Sequence, residues 1–211
     1  MKFLYTKQRR SAINRGAAGI EALTQEVVMS LVPYPDIASL PEEVRTAIAQ
    51  APVQLNIFKM MANAETCFIP FTRLGGTILS RQKLDAKLRE LVILLVAKIE
   101  GGEYEWIQHV PIAISVGATQ AQVDALERNA IDAPCFSEIE RATLRFTEEV
   151  VNRVRAGEDT VKALMKFLSA REIVELIMTI GFYMTAARIT ETTRTDLDVA
   201  AGTKVIDALR R

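Results

Sequence analysis

The chain has 211 residues, of which 49% are hydrophobic, 6% aromatic and 25% charged, the make-up of an ordinary soluble globular protein large enough to bury a substantial core. Its 26 Lys+Arg balance 26 Asp+Glu, so no overall field attracts nucleic acid or an anionic membrane, and neither is an expected partner. Small molecules and further copies of the chain are the expected partners.

Cys67 and Cys135 stand far apart and fit no Cys-x-x-Cys or metal-ligand spacing. A disulfide framework is therefore not indicated, and a reducing, cytoplasmic setting is expected. The first 16 residues carry five basic side chains but no apolar block of the signal-peptide kind, and they read as a solvated arm. The longest apolar run, Leu91 to Ala97, is far below the roughly 20 residues of a membrane span.

In chain order, residues 19–31 suit a short helix that the Pro33-Tyr34-Pro35 cluster stops. Pro41-Glu42-Glu43 reads as a first helical turn and Pro52 ends that helix. Leu55, Ile57, Phe58 and Met61 form a helical stripe over 53–64, and a second helix is expected over 68–79, after Pro70. Residues 84–100 give the clearest helix. Leu84, Leu88, Leu91, Leu95 and Ile99 mark one face, and Val92, Ile93, Leu94 and Val96 fill the remainder, so the second half should be enclosed by other helices. Gly101-Gly102 breaks the chain, and the next helix carries Glu103, Glu105, Trp106 and His109 on its first two turns.

Thr119 with Gln122, Ser137 with Glu140 and Ser169 with Glu172 have capping-box spacing and should start three further helices. The second of these is expected to close at Gly157, with Asp159 capping a short helix after it. The third, 169–190, is too apolar for a surface helix, and the tail 197–209 is weakly helical. Nowhere do apolar and polar residues alternate between hairpin turns, so the expected fold is all-α, one helical domain over 1–211. Two nearly unrelieved apolar helices imply either a covered central pair or burial between subunits.

The only histidine and the only tryptophan lie within residues 89–117. Glu105 and His109 are four apart and so adjacent on a helix. A carboxylate beside an imidazole orients the ring and favours imidazolium, which makes an acid or base near neutral pH. The same pair also fits a purely structural histidine. Glu90 on the preceding helix could be brought opposite His109 by the glycine break, or be a solvated charge paired with Lys87. Three titratable groups in an apolar surround are costly unless used or fully paired. As metal ligands the three make a poor zinc set, and no metal is expected. No phosphate loop is present, and neither cysteine has a neighbouring histidine to make it a nucleophile.

RELVILLVAKIEGGEYEWIQHVPIAISVGATQAQVDAL, with LNIFKMMANAETCFIPFTRLGGTILSRQKL before it and FSEIERATLRFTEEVV and VELIMTIGFYMTAARITETT after it, resembles the carboxymuconolactone decarboxylase and alkylhydroperoxidase D superfamily over about residues 53–198. The resemblance implies an all-helical bundle assembling into dimers, trimers or hexamers, with its site at the start of the histidine-bearing helix. The peroxidase pattern of that superfamily is a glutamate, eleven residues, Cys-x-x-Cys, three residues and a histidine. Glu90 and His109 match it, while Gly102 and Glu105 replace the two cysteines. Neither can perform thiol chemistry, so the resemblance points to the decarboxylase-like branch. It implies a carboxy-lyase acting without cofactors on a small carboxylated unsaturated lactone. His109, Glu105 and Glu90 would be catalytic, and Trp106, Tyr104 and Arg73 would contact substrate. Arg73, Arg81 and Arg188 are unranked candidates for holding a carboxylate. The alternatives are an antioxidant protein working through Cys67 or Cys135, and a non-catalytic oligomeric module.

Overall fold

A computed structural model describes residues 30–209 of the chain. Among them every regular element is helical, as expected. After a single 3-10 turn at Ile37–Ser39 come α1 (Glu42–Gln50), α2 (Asn56–Met61), α3 (Glu65–Arg81), α4 (Ala86–Glu100) and α5 (Glu103–Ser115). They are followed by α6 (Gln120–Glu127), α7 (Glu138–Arg153), α8 (Glu158–Leu164), α9 (Ala170–Thr193) and α10 (Lys204–Leu209). The arm at 1–16 and most of the 19–31 helix lie outside the described residues.

The bundle is built around α4. It packs on α5, α6, α7 and α9, and every residue from Leu88 to Ala97 is buried. Two cores explain why it is apolar all round. Leu88, Val92, Ile93 and Val96 join a cluster with Phe146, Leu164, Leu176 and Ile180. Leu91, Leu94 and Leu95 join another with Leu126, Phe136 and Leu144. A third cluster, with Leu40, Val44, Ile48 and Phe68, joins α1 to α3.

All three capping boxes form. The side chains of Thr119, Ser137 and Ser169 accept from the backbone three residues on, and Gln122, Glu140 and Glu172 reach back to the cap. Each ties off backbone donors that a helix start leaves unpaired.

Some boundaries differ from expectation. Pro70 lies inside α3, not before it; at the sixth helical residue its missing N–H removes one bond that the rest of the turn outlasts. The helix that opens at Ser137 ends at Arg153, with Val154 in the left-handed region at φ 71°. Gly157 is instead the N-cap of α8, and Asp159 sits in that helix's first turn, where its charge favours the helix dipole. The last long helix runs on to Thr193.

The two glycines between α4 and α5 have separate reasons. Gly101 ends α4 at φ 77°, a left-handed conformation that glycine adopts without strain. Gly102 has an ordinary φ of −72°, but a Cβ there would lie 2.9 Å from the Cβ of Ala187 on α9 and 2.6 Å from Glu105 Oε2. The first glycine lets the chain reverse. The second lets α5 begin against α9.

Candidate functional site

Because α5 sits between a core and a hollow, its side chains divide by helical face. Trp106, Val110 and Ala113 pack on the cluster shared with α4, α6 and α7. Glu105, Gln108, His109 and Ile112, spaced three and four apart, line a cavity of about 260 Å³. The cavity is closed by residues from α1, α2, α3 and α9 and by Ala201 and Gly202 of the C-terminal segment.

The chain reversal brings Glu90 and His109 together. His109 Nδ1 lies 2.8 Å from Glu90 Oε2, and Glu90 is wholly enclosed. The other Glu90 oxygen accepts from the Nε–H of Arg89 at 3.2 Å, and that guanidinium is itself buried. Lys87 is not the partner of Glu90; it pairs with Glu140 at 2.7 Å. A carboxylate on Nδ1 fixes that nitrogen as the donor and leaves Nε2 as the ring nitrogen available to the cavity. The edge of the ring meets Tyr183, centroid to centroid 4.8 Å.

Glu105 is adjacent to His109 on α5, but its hydrogen-bond partner is elsewhere. The Thr190 hydroxyl of α9 donates to its carboxyl, 3.1 Å from each oxygen. Burial pushes the Glu105 carboxyl up to about 7, only partly opposed by its own backbone N–H and by Thr190. No cation offsets that burial, unlike at Glu90. The ring-orienting role expected of Glu105 therefore belongs to Glu90, and Glu105 is a separate carboxyl able to exchange a proton near neutral pH.

Tyr104 lines the cavity too, with its hydroxyl donating to Asp198 and accepting from the Ile57 N–H at 3.3 Å. Burial holds its phenol far above the usual range, and the same is true of Tyr183. Both stay neutral at physiological pH. Gln108 clamps the C-terminal segment: its Nε2 donates to the carbonyls of Asp198 (3.2 Å) and Val199 (3.4 Å), and its Oε1 accepts from Ala201 N–H at 3.0 Å.

Trp106 and Arg73 do not line the cavity. Trp106 faces the core because it is one residue, about 100°, from Glu105, and Arg73 is exposed on α3. Arg81 is also exposed, and Arg188 pairs with Glu100 at 2.9 Å. The cation at this site is Arg89, which the sequence reading passed over. Thr190, Tyr183 and Gln108 were likewise missed. Cys67 is exposed, Cys135 is partly buried with its Sγ 3.6 Å from the Ala121 carbonyl, and neither borders the cavity.

Residues 68–149 match the model of the carboxymuconolactone decarboxylase family. Glu90, Glu105 and His109 all fall within that segment. No curated protein matches the chain. Among solved structures it is similar to an uncharacterized peroxidase-related protein of Ralstonia eutropha described as an alkylhydroperoxidase AhpD core, at 19% identity and TM-score 0.69, covering 80% of this chain and 92% of that one. A peroxidase-related protein of Silicibacter sp. gives 18% identity and TM-score 0.70, covering 84% and 96%. A cysteine-to-alanine variant of the debrominase Bmp8, in complex with 2,3,4-tribromopyrrole, gives 17%, TM-score 0.66, and 86% and 98%. The family model thus matches the segment that holds the site, and the solved structures share the all-helical fold of the chain.

Proposed function

We propose that this protein is an acid–base enzyme that moves a proton at carbon in a small unsaturated ring, using side chains alone. The observation that carries the reading is the enclosed Glu90–His109 pair beside a second, unneutralised carboxyl, Glu105, at the wall of an apolar cavity. Two groups that differ in their charge partners can hold opposite protonation states at one pH, which is what donor and acceptor roles require. His109 Nε2 delivers or takes the proton, Glu90 with Arg89 behind it fixes the ring, and Glu105 serves as the second proton carrier.

The carboxy-lyase reaction expected from the sequence is one member of this class. Loss of carbon dioxide from an unsaturated lactone leaves an electron pair that the ring delocalises, and the reaction ends when carbon is protonated. That last step is the one assigned to His109. Thiol-based peroxide reduction finds no support at this cavity, since neither cysteine borders it.

The test offers 4-carboxymuconolactone, uncharged butenolides and cyclic enones to the protein in deuterated water and follows carbon-bound deuterium by NMR. Wild type should label at least one of them, and His109→Gln should slow that labelling by about 100-fold or more, the usual scale of general acid–base catalysis. Equal rates in the two proteins, or no labelling of any compound by wild type, would overturn the reading.

A further inference from the structure

Six polar side chains line the cavity: Thr72, Tyr104, Glu105, Gln108, His109 and Tyr183. Three are engaged with the protein itself. The Thr72 hydroxyl donates to the Phe68 carbonyl at 2.9 Å, the Tyr104 hydroxyl is held between Asp198 and the Ile57 N–H, and the Gln108 amide is used at both ends on the C-terminal segment. His109 Nε2, the Glu105 carboxyl and the Tyr183 hydroxyl remain to meet a ligand, the first two one turn apart on the same helix and the third on α9.

The opposite side is built from aromatic and aliphatic surface. Phe58, Phe68, Phe71, Phe182 and Tyr183 supply rings, and Phe71 and Phe182 stack at 4.2 Å. Gly75 keeps that stack in place, because a Cβ there would lie 2.6 Å from the Phe182 ring. Among the described residues no lysine or arginine lines the hollow. Arg89 faces Glu90 behind the wall, and Arg188 is engaged with Glu100.

A carboxylate entering this space would lose its water, find no cation, and lie near Glu105, a second acid. A neutral ring would keep its apolar edge on the phenylalanines and place a single oxygen between Glu105 and His109. At about 260 Å³ the hollow is below the ~300–1,000 Å³ of common ligand sites, which limits the occupant to one ring with short substituents. From this lining we infer that the physiological ligand is an uncharged, single-ring compound bearing one carbonyl or hydroxyl oxygen, such as a cyclic enone, a lactone or a phenol-like ring. This rests on the acid–base reading of the same site and narrows it to substrates without a carboxylate, which removes the carboxy-lyase member of that class as the physiological reaction. With an unsaturated ring ketone or lactone one proton leaves a ring carbon and one returns at another, the double bond shifts relative to the carbonyl, and no co-substrate is consumed.

The test is calorimetric titration of the whole protein at pH 8 with matched pairs, methyl benzoate against benzoate and methyl 2-furoate against 2-furoate, with cyclohexenone as a third neutral probe. At least one neutral probe should bind, and its affinity should exceed that of the ionised acids by about 100-fold, the scale on which an unpaired charge is excluded from an apolar site. An acid that binds as tightly as its ester, or the failure of all neutral probes, overturns the inference. Titrating His109→Gln separates this from the function itself. A preserved preference for neutral rings together with unchanged deuterium labelling would sink the catalytic role and leave the ligand class standing, whereas lost labelling with a preference for acids would do the reverse.

Discussion

Glu90 and Glu105 are enclosed to nearly the same extent, at 0% and 3% exposure, and they differ in what each faces. Glu90 has a guanidinium on one oxygen and an imidazole on the other, whereas Glu105 has a threonine hydroxyl. Burial without a cation raises the Glu105 carboxyl from 4.5 to about 7. A carboxyl that is a weaker acid in the folded chain holds its proton more tightly there. Its stabilising contribution is therefore complete below about pH 4.5 and is lost as the pH climbs to about 7. At ~1.36 kcal/mol per pKa unit this amounts to about 3 kcal/mol. Glu105→Gln cannot titrate, so its stability relative to wild type, measured by urea unfolding, should improve by roughly that amount between pH 4.5 and pH 8. A difference that stays constant across this range would show that Glu105 is well solvated, and would remove the second proton carrier from the site.

At the scale of elements, the reversal between α4 and α5 makes the site, and its two glycines can be separated by experiment. Gly101→Ala puts a side chain at φ 77°, where no neighbour lies within 4 Å. It should cost about 1 kcal/mol of backbone strain and leave the pH dependence attributed to Glu105 unchanged. Gly102→Ala meets Ala187 at 2.9 Å and Glu105 Oε2 at 2.6 Å. A glycine-to-alanine change at an ordinary φ would gain a few tenths of a kcal/mol, but the crowding should outweigh that and destabilise by about 1–3 kcal/mol. It should also displace Glu105 and lower deuterium labelling more than Gly101→Ala does. Equal activity in the two variants would mean that the start of α5 does not position the carboxyl.

The same region shows what a sequence can and cannot disclose. Capping boxes at Thr119, Ser137 and Ser169 are local devices and were legible. The meeting of Glu90 with His109 was legible only as one of two alternatives: the glycine break allows the reversal, but Lys87, one turn before Glu90 on the same helix, was an equally available partner in the sequence. Thr190 lies 85 residues from Glu105, and Asp198 lies 94 from Tyr104; contacts at that separation have no periodic signature. Trp106 was misplaced on the cavity for a simpler reason. It flanks Glu105 in sequence, but its neighbours in space are set by helical rotation, which turns it to the core. Arg89 is adjacent to Glu90 in sequence, and one-residue neighbours on a helix do not ordinarily face each other, so nothing marked it as a partner.

For the whole molecule, α9 is the element left unexplained by one chain. By length and composition alone it could cross a membrane. Its Leu176, Ile180, Tyr183 and Ala187, however, are buried in the bundle, and its Thr190 holds Glu105. The opposite face carries Val174, Ile177 and Met178 at 59%, 44% and 46% exposure, three and four residues apart and so side by side on the helix. Such a strip on water is unfavourable, at roughly 25 cal/mol per Å² of apolar surface left uncovered. A second copy of the chain would bury the same strip by two-fold pairing, residue against residue. The expected result is a wild-type protein that sediments as a multiple of the single-chain mass, and an Ile177→Glu/Met178→Lys variant that sediments as one chain while retaining its helical circular dichroism. Because the cavity of a single chain already holds Glu90, Glu105 and His109, the variant should keep its deuterium labelling. A wild-type protein of single-chain mass at micromolar concentration would remove self-association as the cover for α9.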